Sequence, residues 1–74
     1  MNIKISKHAA DRMIERGISK EEIVFIFNSE SWDSVACSDQ DDDILIAVKS
    51  VNGKKWRFIF NEKTGVLITC FPMR

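Results

Sequence analysis

Histidine and cysteine are scarce in this sequence, and their scarcity bears on metal sites and on covalent cross-links. The 74 residues contain one histidine, His8, and two cysteines, Cys37 and Cys70, which are widely separated and form no C-x-x-C pair. Structural zinc sites need about four such ligands, so we expect no metal and no cofactor. In a reducing compartment both cysteines are expected to be small buried hydrophobes. The alternatives are a disulfide or a reactive thiol.

Net charge and long apolar runs are also lacking. Eleven basic residues balance eleven acidic ones, so no overall field draws the chain to nucleic acid or to lipid, and any nucleic-acid site must be a local patch. The longest apolar runs, Ile23–Phe27 and Ile44–Val48, are far shorter than the roughly 20 residues that span a bilayer. The N-terminus lacks the apolar core of a signal peptide. We expect a cytoplasmic protein with no membrane partner.

The sequence has the length and composition of one small globular domain over residues 1–74. Its content of 45% hydrophobic and 30% charged residues is typical of folded proteins. At this size only about 60% of the unfolded surface can be buried, so the margin of stability is narrow. The one biased segment is the acidic run Asp39–Asp43. It is either a solvated loop or a segment that docks on basic residues elsewhere.

A first helix is predicted over Lys7–Arg16, with Ser6 as its N-cap and Gly17 as the left-handed residue that closes it. At 100° per residue its side chains divide into sectors. The apolar sector contains Ala9, Ala10, Met13 and Ile14, and the acidic edge contains Asp11 and Glu15. A basic stripe, which we define as His8, Arg12 and Arg16, lies between the two.

The basic stripe has two interpretations. Histidine can exchange a proton near neutral pH, and arginine binds phosphate through two parallel hydrogen bonds. Such groups can cleave RNA without a metal, because cations stabilise the pentacoordinate phosphate while other groups move protons. Charged stripes are more often solvated helix surfaces. In that case the arginines pair with Asp11, with Glu15 or with the acidic run.

A second helix and several strands complete the predicted fold. The helix starts at the capping box formed by Ser19 and Glu22 and ends near Asn28. Asn2–Ile5 either adds an edge strand or simply leads into the first helix. The other strand candidates are Trp32–Cys37, Ile44–Val51, Lys54–Asn61 and Val66–Phe71, with Pro72 ending the last. This order predicts an α+β fold, in which two N-terminal helices pack on one face of a three- to four-stranded antiparallel meander sheet.

The expected register of the last two strands brings two polar side chains together. If the loop Asn61–Gly65 pairs Phe60 with Val66, then Arg57 lies opposite Thr69. The core face would carry Trp56, Phe58, Phe60, Val66, Ile68 and Cys70, and the other face would carry Arg57, Thr69, Ile59, Leu67 and Phe71. Lys54 and Lys55 follow Asn52-Gly53 at a hairpin tip. They either contact phosphate or only aid solubility.

Both ends of the chain resemble one family. The run Ser6-x-His8-Ala9-x-x-Arg12-Met13-x-x-Arg16-Gly17-Ile18, followed by Glu21-Glu22-Ile23, is similar to the opening of a bacterial family of domains of unknown function, DUF4258. Val66-x-Ile68-Thr69-x-Phe71-Pro72 resembles the end of the same family. That family is similar in fold to RelE- and BrnT-type ribonuclease toxins. The resemblance implies a metal-independent ribonuclease, the toxin of a toxin–antitoxin pair, with RNA and an antitoxin as partners.

The resemblance also implies where the site lies, on the N-terminal helix and the exposed sheet face. His8 would be the general acid or base, and Thr69 would position the substrate. The implied phosphate or transition-state contacts are Arg12, Arg16 and Arg57. Lys54 and Lys55 are candidate RNA contacts from their place at the hairpin tip alone. Toxins of this type are usually strongly basic, whereas this chain is neutral, and the acidic run would repel RNA near the site. The alternative function is a non-catalytic module that binds a protein partner or a second copy through Ile59, Leu67 and Phe71.

Overall fold

The computed structural model describes residues 3–29 and 31–73 and shows an α+β domain. Its elements in chain order are β1 Lys4–Ile5, α1 Lys7–Arg16, α2 Lys20–Ser29, β2 Ser34–Cys37, β3 Ile44–Val51, β4 Lys54–Asn61 and β5 Val66–Pro72. The strands form one five-stranded sheet in the order β1-β5-β4-β3-β2. Both predicted helices and the α+β class are confirmed.

The sheet is mixed and has five strands, so the predicted sheet of three or four antiparallel strands is not confirmed as a whole. Strands β2 to β5 pair antiparallel in sequence order, but β1 pairs parallel with β5. The N–H of Lys4 donates to the carbonyl of Gly65 at 2.7 Å, and that of Ser6 donates to Leu67 at 3.1 Å. The chain therefore enters the sheet beside its last strand. Asn2, where the sequence predicted the first strand to begin, lies outside the described residues.

Helix α1 is fixed at both ends by the residues that the sequence indicates. The Ser6 hydroxyl accepts from the N–H of Ala9 at 3.1 Å and donates to the carbonyl of Ile68 at 3.1 Å, which ties the start of the helix to β5. Gly17 has φ 76°, a conformation that costs glycine little. Its N–H and that of Ile18 both bond to the carbonyl of Met13, at 2.9 and 3.1 Å.

Helix α2 and the hairpin also form as predicted. The Ser19 hydroxyl accepts from the N–H of Glu22, and the Glu22 carboxylate accepts from the N–H of Ser19, both at 3.1 Å. This reciprocal pair satisfies two donors at the helix start. Asn52 and Gly53 have φ 53° and 80°, as the tight turn between β3 and β4 requires.

The pairing of β4 with β5 contains a register shift that the sequence did not reveal. Ile59 lies opposite Thr69, whereas the next residue, Phe60, lies opposite Leu67. Ile68 is therefore an extra residue in β5, the arrangement of a β-bulge. Arg57 lies opposite Phe71, so the predicted pairing of Arg57 with Thr69 is wrong.

The bulge changes which side chains enter the core. Leu67 is fully buried, whereas Ile68 is 36% exposed, so the faces predicted for these two residues are wrong. The core is one cluster between the helices and the sheet, made of Ala9, Met13, Ile18, Ile23, Ile26, Phe27, Ala47, Trp56, Phe58, Phe60, Leu67 and Cys70. Trp32 packs against this cluster, with its ring centroid 5.1 Å from that of Phe27.

Two further expectations about burial are wrong. Ile14, placed in the apolar sector of α1, is 81% exposed, because the helix buries Ala9 and Met13 instead. Cys37 is exposed, because β2 lies at the edge of the sheet and all four of its residues are exposed. The strand Val66–Pro72 also includes Pro72, which lies opposite Trp56.

The register shift makes a direct stability prediction. We expect Leu67→Ala to lower the free energy of unfolding by about 2–5 kcal/mol, because it leaves a cavity in the core. Ile68→Ala, the matched control one residue along, should cost less than about 1 kcal/mol, since this side chain is partly exposed. Urea denaturation measures both changes, and equal costs for the two variants would contradict the register.

Candidate functional site

The sheet has one covered face and one open face. Both helices contribute to the core cluster that contains Phe58 and Cys70, so both pack on the same side of the sheet. Side chains alternate across a strand, so the neighbours of those core residues point to the opposite side. We define the open face by the residues on that side: Lys4, Ser34, Ala36, Ile44, Ile46, Val48, Ser50, Lys55, Arg57, Ile59, Asn61, Val66, Thr69 and Phe71.

The centre of the open face is apolar. Ile46 lies opposite Ile59, and Val48 lies opposite Arg57. These four side chains and Phe71 are half-buried by one another, with no helix above them. Sequence reasoning missed Ile46 and Val48, although the apolar character of both faces of Ile44–Val51 was the signal for them.

Arg57 is the principal charged group at this centre. Its Cζ atom lies 5.8 Å from the centroid of the Phe71 ring, a cation–π arrangement. Among the described residues, every buried nitrogen or oxygen atom of a side chain has a hydrogen-bond partner except the Nε of Arg57. Leaving such a donor unpaired costs about 1–3 kcal/mol. The half-buried guanidinium can instead bind an anion at the open face through its terminal N–H groups, which makes Arg57 the strongest candidate for ligand contact.

Thr69 and Lys55 share the open face with Arg57. Thr69 lies opposite Ile59 and so occupies a position diagonal to Arg57, although not the directly opposite one that was predicted. Lys55 lies two residues before Arg57 on β4, opposite Ser50. Lys54 is exposed at the same hairpin end but points to the other side of β4 by alternation. The structure therefore brings together Arg57, Thr69 and Lys55.

The basic stripe of α1 lies elsewhere. His8 is exposed in the first turn, and Arg16 is exposed in the last. Arg12 is half-buried, and its guanidinium pairs with the carboxylate of Glu15 on the same helix. An exposed ion pair of this kind contributes roughly 0–1 kcal/mol. This pairing fits the interpretation of the stripe as a solvated helix surface.

The sheet separates the stripe from Arg57 and Thr69. Helix α1 packs through Ala9 and Met13 on the covered face, whereas Arg57 and Thr69 belong to the open face. Within residues 3–29 and 31–73, no hydrogen bond or ion pair joins the stripe to Arg57 or Thr69. The five residues assigned to one catalytic site therefore divide into two groups on opposite sides of the sheet.

The acidic run lies at one end of the sheet, and the β3–β4 hairpin that carries Lys54 and Lys55 lies at the other end. The Asp41 carboxylate accepts from the N–H of Asp43 at 2.9 Å, and the N–H of Glu62 donates to the Asp43 carbonyl at 2.8 Å. These bonds hold the run beside the β4–β5 turn, whereas Lys54 and Lys55 occupy the opposite end of β4. In the part of the chain that the structure describes, the run forms no ion pair with the basic stripe.

The cysteines and the remaining acidic residues offer no further chemical centre. Burial raises the pKa of the Cys70 thiol, and the positive charge of Arg16 opposes this effect. Among the described residues, no group of three or more histidine, cysteine and carboxylate side chains could hold a metal ion. Neither described helix is long and apolar enough to cross a membrane.

Comparison with protein families identifies the chain. Residues 5–71 match the family described as "Domain of unknown function (DUF4258)", and the chain belongs to that family. The match covers both helices and nearly the whole sheet. Comparisons with curated proteins and with solved structures gave no match.

The two thiols should differ in reactivity. We expect Cys37 to react with a thiol reagent in the folded protein, and Cys70 to react only after unfolding, because the first is exposed and the second buried.

Since the pKa of Cys70 is raised in the folded state, the free energy of unfolding should fall as the pH rises above the usual thiol pKa near 9. Urea titrations across this range test the effect. A Cys70→Ala variant with the same pH slope would contradict it.

Proposed function

We propose that this domain is a metal-independent ribonuclease of RelE/BrnT-like fold that binds single-stranded RNA on the open face of its sheet. The observation that carries the proposal is Arg57, which has an unpaired buried Nε and lies over Phe71 at the centre of this face. The charged members of the open face, Lys4, Lys55 and Arg57, are all cationic. A phosphate oxygen is a suitable acceptor for the guanidinium.

The surroundings of Arg57 suit a nucleotide chain. Aromatic rings and guanidinium planes stack on unpaired bases, and hydroxyl groups bind sugar or phosphate. Phe71 supplies the ring, and Thr69 supplies a hydroxyl beside it. The acidic run would orient the RNA towards the hairpin end, because it repels phosphate at the other end.

Cleavage at this site would proceed by attack of a ribose 2′-hydroxyl oxygen on the adjacent phosphorus, which forms a 2′,3′-cyclic phosphate as the bond from phosphorus to the 5′-oxygen breaks. Water would take the proton of the 2′-hydroxyl and supply one to the departing 5′-oxygen. Arg57 would stabilise the charge that accumulates on the pentacoordinate phosphate, and Thr69 would position it. Lys55, exposed on the same face, would bind a flanking phosphate. His8 would take no part at this phosphate, because the sheet lies between them. In this proposal the basic stripe takes no part in RNA binding, and the cytoplasmic toxin role with an antitoxin partner is retained.

A second candidate function is a non-catalytic module that binds a protein partner or a second copy of the chain. Ile46, Val48 and Ile59 favour it, because an uncovered apolar sheet centre is typical of an interaction surface. Leu67, assigned to this surface from the sequence, is excluded from it because its side chain is fully buried in the core.

The ribonuclease proposal predicts different effects on the two sides of the sheet. In EDTA, we expect Arg57→Ala to weaken binding of a fluorescent single-stranded RNA by about tenfold or more and to slow its cleavage at least as much. His8→Ala is the matched control from α1 and should change both by less than about twofold. Anisotropy and gel analysis measure the two effects. Loss of cleavage in His8→Ala with full activity in Arg57→Ala would overturn the assignment, as would wild-type protein that neither binds nor cleaves RNA.

The second candidate makes a hydrodynamic prediction. If two copies pack through their open faces, sedimentation equilibrium should show a dimer that Ile46→Lys converts to monomer. Phe25→Lys is the matched control, because Phe25 is 73% exposed on α2 and lies on the helical side. A wild-type monomer at high concentration would contradict the homodimer.

A further inference from the structure

Strand β2 forms an unguarded edge of the sheet. Among the described strands it pairs with β3 alone, and all four of its residues, Ser34–Cys37, are exposed. Natural proteins protect such edges with lysine, proline, a bulge or a covering element. The sequence of β2 contains no lysine or proline, and Val35 is 49% exposed. Its pairing with β3 is regular over Ser34–Cys37, and the irregularity lies before it, where the N–H of Asp33 donates to the carbonyl of Val48 at 2.8 Å. This edge can therefore accept another strand.

The hydrogen bonds show which backbone groups of β2 are free. The N–H of Ser38 donates to the carbonyl of Ile44 at 2.8 Å, next to the pair Cys37 and Leu45. In an antiparallel pair, every second residue directs its N–H and C=O groups to the neighbouring strand. Ser34 and Ala36 therefore bond to β3, as Ser38 does. Val35 and Cys37 therefore direct their N–H and C=O groups away from the sheet, where an added strand can bond to them.

Charge decides what kind of strand fits. The acidic run Asp39–Asp43 follows β2 directly, and its carboxylates form no ion pair within the described residues. Asp33 precedes β2, and its carboxylate accepts from the N–H and the hydroxyl of Ser50 at 3.0 Å each. Pairing with a second copy of β2 would place acidic residues beside acidic residues in either direction, which is unfavourable.

We propose that β2 binds an extended basic peptide segment of a partner protein, which adds to the sheet as a sixth strand. The backbone of the segment bonds to Val35 and Cys37, and its apolar side chains pack beside Val35. Its lysine or arginine residues lie against the acidic run. This site goes beyond the proposed RNA surface, since the run that attracts a basic peptide repels phosphate.

The test uses the whole domain and a short synthetic peptide of alternating valine and lysine. We expect the peptide to slow hydrogen exchange of the Val35 and Cys37 amides by about tenfold or more, as measured by NMR. The control peptide has the same sequence with N-methyl groups on the backbone amides that face the edge. It keeps the charge but lacks the donors, so it should give no protection. Equal binding of both peptides, or no binding of the first, overturns the proposal.

Variants of the domain separate the contribution of backbone hydrogen bonds to peptide binding from the contribution of the acidic charges. Val35→Pro removes one outward donor while leaving the bonds to β3, and we expect it to abolish binding, whereas Val35→Ala retains it. Asp39→Lys/Asp42→Lys should weaken binding about tenfold or more and reduce its salt dependence. Asp41 is kept because its carboxylate holds the loop. Unchanged affinity in the charge variant contradicts the proposal even where Val35→Pro fails to fold. Arg57→Ala should leave peptide binding intact, so this result is independent of RNA binding.

Discussion

One extra residue in β5 determines the chemistry of both faces of the sheet. Because Ile68 bulges out of the pairing with β4, Leu67 and Cys70 both enter the core, although they are three positions apart. Regular alternation would have placed one of them outside. The Ser6 hydroxyl bonds to the carbonyl of Ile68 and also caps α1. The bulge therefore lies where the first helix is attached to the sheet, and the packing of Ala9 and Met13 on the covered face depends on it.

The consequence for function is a division between two basic regions. Helix α1 carries His8, Arg12 and Arg16 on the helical side, whereas Arg57 lies on the open face with Phe71 beneath its guanidinium. The first region is partly neutralised by Glu15. The second is half-buried among apolar side chains, where a charge interacts more strongly with a bound ion than it would in water. The buried Nε without a partner makes the second region the better candidate for a site.

Local signals in the sequence were sufficient for the helices and turns. Ser6 and Gly17 bound α1, the capping box at Ser19 begins α2, and Asn52-Gly53 forms the hairpin, because each feature depends on residues a few positions apart. Strand β1 was harder to predict, since two residues paired with a strand at the far end of the chain have no periodicity to detect.

The candidate site depends on how strands pair and which side chains share a face of the sheet, and local signals in the sequence do not encode these features. Ile68 is as apolar as its neighbours, so nothing in the sequence distinguishes a bulge from continued alternation. Because the bulge was not predicted, the faces expected of Val66, Leu67 and Ile68 were reversed. That Arg57 and Thr69 share a face followed from the alternation within each strand. Their exact pairing, the uncovered centre at Ile46 and Val48, and the separation from His8 needed the three-dimensional arrangement.

The central claim is that the open face around Arg57 is the functional surface and that α1 is not. Amide chemical shifts recorded during titration of the domain with a single-stranded RNA oligonucleotide test it most directly. The account predicts that the largest changes occur at Val48, Arg57, Ile59, Thr69 and Phe71, with small changes over residues 8–16. Changes concentrated on α1, with the sheet unaffected, would contradict it.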